Sequence, residues 1–258
     1  CGPAGSGKTY TALRIGTEIG ERVAVIDTEH SASKYAPGGR SGYGFDFDVL
    51  QMEPPYTPAR FVGAIEAAVE AGYDLLIIDS LSHAWAGEGG ALEMVDEIAA
   101  KSRSRNSFGA WRTVTPEHNA LVTAMVRCPA HVIVTMRTKT VFLQQEVDAG
   151  GGKKRTEIVR AGLAPVQRDG LEYEFDVVGD LDHENTLRVT KSRCPELTGG
   201  VFHKPGSALA DTLKVWLDDE VTWGRAAEHL RNLDLDPELV VRFVVEKLGK
   251  DDPRGFGP

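Results

Sequence analysis

Cysteine is scarce: Cys1, Cys128 and Cys194 are the only three in 258 residues, and no two of them stand in C-x-x-C spacing. That excludes a disulfide framework and a cysteine-built tetrahedral metal site, and it fits a reducing cytoplasm. The seven histidines show no metal-ligand spacing either, and His83 reads as a packed or hydrogen-bonded residue. No apolar run approaches the roughly eighteen residues that cross a bilayer. The start of the chain has no basic segment leading into an apolar stretch, so a soluble, unexported protein with no membrane partner is expected. Positive charge is in deficit, with a formal net charge of −9, so any nucleic-acid contact must rest on a local basic patch. The guanine-reading pattern N-K-x-D is absent, which argues against a GTPase.

What is present begins at once. Gly2-Pro3-Ala4-Gly5-Ser6-Gly7-Lys8-Thr9 fits G-x-x-x-x-G-K-[ST], and an apolar stripe at helical spacing, Ala12, Ile15 and Ile19, follows it directly. Glycines let successive N–H groups turn inward around phosphates, and the helix start adds its positive end. Lys8 is placed to reach the β- and γ-phosphates of ATP and Thr9 to ligate Mg²⁺; Tyr10, next in line, is counted in the nucleotide-binding set. A phosphate-binding loop is normally launched from a buried strand, so a strand is expected upstream of Cys1.

The second motif is Leu75-Leu76-Ile77-Ile78-Asp79, an apolar run ending in an acid. Such a run suits a strand buried on both faces of a parallel sheet, with Asp79 at the phosphate-binding edge and able to hold Mg²⁺ through water. Ser80 follows Asp79, so a catalytic base has to come from elsewhere. Glu29 is the candidate, just past a strand at Arg22 to Asp27 expected to lie near the strand that feeds the P-loop. A surface-loop glutamate is the competing reading.

Strand and helix patterns alternate through the first half: Phe47 to Met52, a helix capped by Thr57-Pro58 and ended by Gly72, a helix near Leu92 to Ala100, another from Thr115-Pro116 to about Arg127, and a strand from His131 to Met136. This predicts an α/β fold with a mostly parallel central sheet flanked by helices. Beyond it, Gly150 to Arg155 reads as a loop. Leu171 to Val178 with Thr186 to Lys191 reads as a hairpin, and residues from about 218 to 258 as a small helical extension and tail after a core of 1 to 217. The tryptophans, Trp85, Trp111, Trp216 and Trp223, suit core or interface positions.

The P-loop, Ile26-Asp27-Thr28-Glu29-His30 and Ile77-Ile78-Asp79-Ser80 resemble the matching segments of RecA-type recombinase cores. The run from Gly2 to about Leu217 is most similar to short phage ATPases built on that core and linked to single-strand annealing and recombination. The resemblance implies that Glu29 polarises the attacking water. It also implies that Lys191 and Arg193, in Val189-Thr190-Lys191-Ser192-Arg193, reach a neighbouring subunit's ATP in a homo-oligomeric ring or filament; a plain pair of exposed strand cations is the alternative. RecA proteins place a γ-phosphate-sensing glutamine at the end of the strand corresponding to His131 to Met136, where this chain has Thr135, Met136 and Arg137.

RecA-like proteins carry a DNA-binding loop directly after that strand. Here the segment holds Arg137, Lys139, Lys153, Lys154 and Arg155, a local basic surplus that suits single-stranded DNA, or else a solvated loop with no ligand. A ring-forming helicase motor or loader on the same core is the alternative function. A small-molecule P-loop kinase is a third, which would need an arginine-rich lid.

Overall fold

The computed structural model describes residues 1–102, 106–148 and 154–219, with the backbone alone at 142–148, 154–161 and 218–219, and positions 231, 235, 236, 238, 239 and 241 beyond. Two compact units divide the chain, Cys1–Thr212 and Leu213–Pro258. None of the helices among the described residues is long and apolar enough to cross a membrane.

The first unit is an α/β fold around a parallel four-stranded sheet. Its strands are β1 (Val23–Asp27), β2 (Asp48–Gln51), β3 (Leu75–Asp79) and β4 (His131–Val134), in the order β2-β1-β3-β4. Every residue of β1 and of β3 is buried, as continuous apolar runs in a covered parallel sheet must be. Alternation along β3 divides the core. Leu75 and Ile77 pack with Val25 against helix α1 (Lys8–Ile19) through Leu13, while Leu76 and Ile78 pack with Phe61 and Ile65 of α2 (Pro58–Glu70) and with Leu121 and Met125 of α5 (Ser107–Val126). At Gly16 a β-carbon would lie 2.8 Å from Ile77 Cδ1, so glycine lets α1 lie close on the sheet. Between α2 and α5 the chain forms a short α3 (Ser82–Ala86) and α4 (Ala91–Lys101). Val95 of α4 meets Ala110 and Val114 of α5, with Trp85 stacked on Trp111 beside them at 5.5 Å.

Helix α5 begins eight residues before the predicted Thr115-Pro116 start. Asn106 caps it, accepting from Phe108 N at 2.9 Å, and Pro116 lies inside the helix. Proline at an interior position removes one backbone hydrogen bond, but the earlier turns bury Ala110 and Val114, and that burial outweighs the loss.

Of the segment expected as a loop at Gly150 to Arg155, residues 150–153 lie outside the described residues, and the last two belong to a long antiparallel ribbon, β5 (Thr138–Asp148) paired with β6 (Lys154–Pro165) from Thr138↔Pro165 to Asp148↔Lys154. Lys154 and Arg155 are therefore strand residues; Lys153 lies outside the described residues. A three-stranded antiparallel sheet follows, β7 (Val177–Leu181), β8 (Thr186–Ser192) and β9 (Val201–His203), and then α6 (Ser207–Asp219). The predicted hairpin is present, though its first strand starts at Val177, since Leu171–Glu174 is a 3₁₀ turn.

Gly2 forms a parallel bridge with Arg137, just past β4, and Leu181 N donates to Cys1 O at 2.8 Å. Cys1 and Gly2 thus run between the end of β4 and β7, and β3 and β4 stand between them and β1. Strand β1, expected near the strand feeding the P-loop, is thus separated from it by β3 and β4. Glu29 nevertheless emerges on the right edge, because Asp27 and Asp79 are register partners at the carboxyl ends of β1 and β3.

Candidate nucleotide-binding site

Residues Gly2 to Thr9 wrap the start of α1. Gly5 and Gly7 have φ of 77° and 84°, the left-handed region that a side chain would strain. At Gly2 an added β-carbon would come within 2.5 Å of Ser6 Oγ and 2.8 Å of Leu181 O, so only glycine fits. The loop is braced from the β7–β8 turn, where Asn185, itself at φ 58°, donates from Nδ2 to Ser6 O at 2.9 Å. Ser6 is fully buried, and its Oγ has no partner among the described residues. Lys8 folds over the loop and donates from Nζ to Pro3 O at 2.8 Å. Its ammonium is pulled below the ordinary lysine value by burial, with Glu29 and Asp79 opposing that shift and Arg137 adding to it. Those three side chains are thus electrostatic neighbours of Lys8.

Thr9 Oγ1 donates to Asp79 Oδ2 at 2.6 Å, and the Thr135 hydroxyl donates to the other carboxylate oxygen, Oδ1. Burial pushes the Asp79 carboxyl upward, and the two hydroxyls hold it down. A hydroxyl and a carboxylate side by side are hard oxygen donors of the kind that hold Mg²⁺, so Thr9 and Asp79 fit that ion. Sequence reasoning missed Thr135 as a third member of this group. Its one signal is a polar residue closing the apolar run His131 to Val134.

Glu29 is held from two sides. Its backbone N–H donates to Asp27 Oδ1 at 2.9 Å, and Ala32 N donates to Asp27 Oδ2, so the buried Asp27 fixes the loop that carries it. Its carboxylate accepts from Arg137 Nε at 2.9 Å, with side-chain exposures of 25% for Glu29 and 49% for Arg137. Arg137, expected among the DNA-facing cations, is thus engaged with the candidate base; Lys139 is exposed. His83 Nδ1 lies 2.7 Å from Thr28 Oγ1 and its ring stacks on Tyr56 at 4.9 Å, which places it in packing. Tyr10 stands among Tyr35, Tyr43 and Phe45, with its ring 4.7 Å from that of Tyr43.

Lys191 and Arg193 are not the outward pair that strand alternation predicts. A bulge in the β7–β8 ladder falls between Lys191 and Val189. The Lys191 ammonium donates to three carbonyls of its own chain, those of Glu172, Tyr173 and Phe175, at 3.2, 2.6 and 2.6 Å. Arg193 lies just past β8, exposed, and ion-paired with Asp176.

A search of curated proteins finds no match. The sequence matches a protein family described as an AAA domain over residues 1–200, a span that includes the P-loop, Glu29, Asp79 and the ribbon. On that match and the braced P-loop with its Thr9–Asp79 pair, the chain belongs to the AAA domain family of P-loop ATPases.

Proposed function

We propose that this ATPase domain is a RecA-like module that hydrolyses ATP with Mg²⁺ and works on single-stranded DNA, in recombination or strand annealing, as a homo-oligomer. The observation that carries the reading is the position of the β5–β6 ribbon. It starts one residue after Arg137, whose guanidinium holds Glu29, so a single segment runs from the nucleotide site to the cations Lys139, Lys154 and Arg155.

In this reading the P-loop N–H groups and the ammonium of Lys8 take the phosphates, with Ser6 N and Lys8 Nζ leaving Pro3 O to do so. Thr9 and Asp79 would hold Mg²⁺, which when bound neutralises charge on the β- and γ-phosphates. Glu29 orients water and accepts its proton as the water oxygen attacks the γ-phosphorus. The bond from that phosphorus to the β-bridging oxygen breaks, and ADP leaves with phosphate.

The test is ATP turnover with and without single-stranded DNA. Stimulation by the strand supports the reading, and an indifferent rate sinks its DNA part. Lys8→Ala is expected to abolish turnover. Glu29→Gln is expected to keep ATP binding while slowing hydrolysis by roughly two orders of magnitude or more, the usual scale for a positioned base. Normal turnover in Glu29→Gln would return that residue to the surface-loop reading.

A further inference from the structure

Arg137 ties the candidate base to the segment after Asp79 and to the base of the ribbon. It is the register partner of Gly2 at the P-loop, whose N–H donates to the carbonyl of the adjoining Met136 at 3.1 Å. Its N–H donates to Ser82 Oγ at 2.9 Å, three residues past Asp79. Its carbonyl accepts from Val166 N at 2.7 Å, which closes the base of the β5–β6 ribbon. Its side chain holds Glu29. The other leg of the ribbon is tied to the same segment, since Gln167 donates from Nε2 to Leu81 O at 3.2 Å and Leu81 N donates to Thr135 O at 3.0 Å. A shift at the ribbon base therefore has a short covalent and hydrogen-bonded route to the guanidinium, and the carboxylate that guanidinium grips is the candidate base.

We infer that Arg137 is a positioning residue that restrains Glu29 in the resting protein and releases it when the ribbon engages a polyanionic strand. This rests on the assignment of Glu29 as the water-orienting group. The pairing has the strength such a device needs. An ion pair this exposed holds its carboxylate by a factor of about five at most, enough to damp turnover and weak enough to give way when phosphates compete for the same cations. A buried pair would be too costly to break on each engagement. The backbone and side-chain ties that close the ribbon base do not involve the guanidinium, so removing it leaves the architecture there in place.

The experiment compares the full chain with Arg137→Gln and Arg137→Lys, measuring kcat and KM for ATP without DNA and with oligo-dT. Expected for Arg137→Gln is a resting kcat raised up to about fivefold, an unchanged KM and a stimulation ratio reduced by the same factor. Arg137→Lys, which keeps a cation against Glu29, is expected to stay near the parent. A resting kcat that falls in Arg137→Gln, or stays the same with stimulation intact, overturns the restraint. Glu29→Gln run alongside separates this from the functional reading it rests on. If Glu29→Gln turns over normally, the assignment of the base fails and the restraint with it. If the parent is indifferent to oligo-dT while Arg137→Gln is faster at rest, the DNA reading fails and the restraint on Glu29 stands.

Discussion

Asp79 carries the heaviest local cost in the site. Its carboxylate is buried, pushed upward by desolvation, and satisfied by two hydroxyl donors, with no ion pair among the described residues. A charge in that position is tolerated because function needs it when a divalent ion arrives. Asp79→Asn is therefore expected to raise the Tm of the nucleotide-free protein by a few degrees, on the scale of about 2–4 °C per 1 kcal/mol for a chain of this size. It is also expected to abolish the further rise that ATP with Mg²⁺ gives the parent. A thermal melt with and without nucleotide and metal checks both; a lower Tm without ligand would mean that the charge is a stabilising part of the fold. Lys191 is the opposite case. Its three carbonyl partners lie in one short turn, so its ammonium stitches residues 172–175 to β8. A motif of two cations two residues apart gives no hint that one of them is spent this way, because the acceptors are backbone groups on a different segment.

The β5–β6 ribbon is the element that the sequence hid. The sequence between its two strands is polar and glycine-rich, which is the composition of a loop, and the strands, of 11 and 12 residues, pair with each other in a sheet of two. A two-stranded ribbon is marginal on its own and gains from a ligand that ties its cations down. Replacing Lys139, Lys154 and Arg155 with alanine is expected to weaken single-strand binding and to reduce the slope of log K against log salt by about 2, at roughly 0.7 for each phosphate no longer neutralised. Binding titrations at several salt concentrations measure it, and an unchanged slope would mean that the ribbon does not touch the strand's backbone. The central sheet was legible by contrast. Leu75 to Asp79 and Val23 to Asp27 are apolar runs whose burial on both faces admits little else, and the P-loop is a local backbone pattern. Boundaries failed where a long-range contact decided them. The extra turns of α5 exist because α4 covers them, and the Glu29–Arg137 pair joins residues 108 apart in sequence.

At the scale of the whole molecule, Arg193 remains suited to a neighbour's nucleotide. It lies past the end of β8 with its side chain 59% exposed, and its partner Asp176 is 55% exposed. Such a pair is worth at most about 1 kcal/mol after solvent screening, so a phosphate on an adjoining subunit could take the guanidinium from Asp176 at little cost. An arginine supplied in trans can contribute roughly 10³ to 10⁵ in rate by stabilising charge that develops on the γ-phosphate. The expected behaviour follows in three parts. Arg193→Ala keeps its Tm and its nucleotide binding but loses turnover. Lys191→Ala, by contrast, loses Tm, because three carbonyls are left without their donor. Mixing Arg193→Ala subunits, whose P-loop is intact, with Lys8→Ala subunits, whose Arg193 is intact, restores activity that neither has alone, since some shared sites then combine a sound P-loop with a sound guanidinium. Turnover measured across mixing ratios, with co-assembly verified by a tagged pull-down, decides it. A mixture that co-assembles and stays inactive, or an Arg193→Ala protein with full activity, assigns Arg193 to its own chain and leaves each ATP site complete within one subunit.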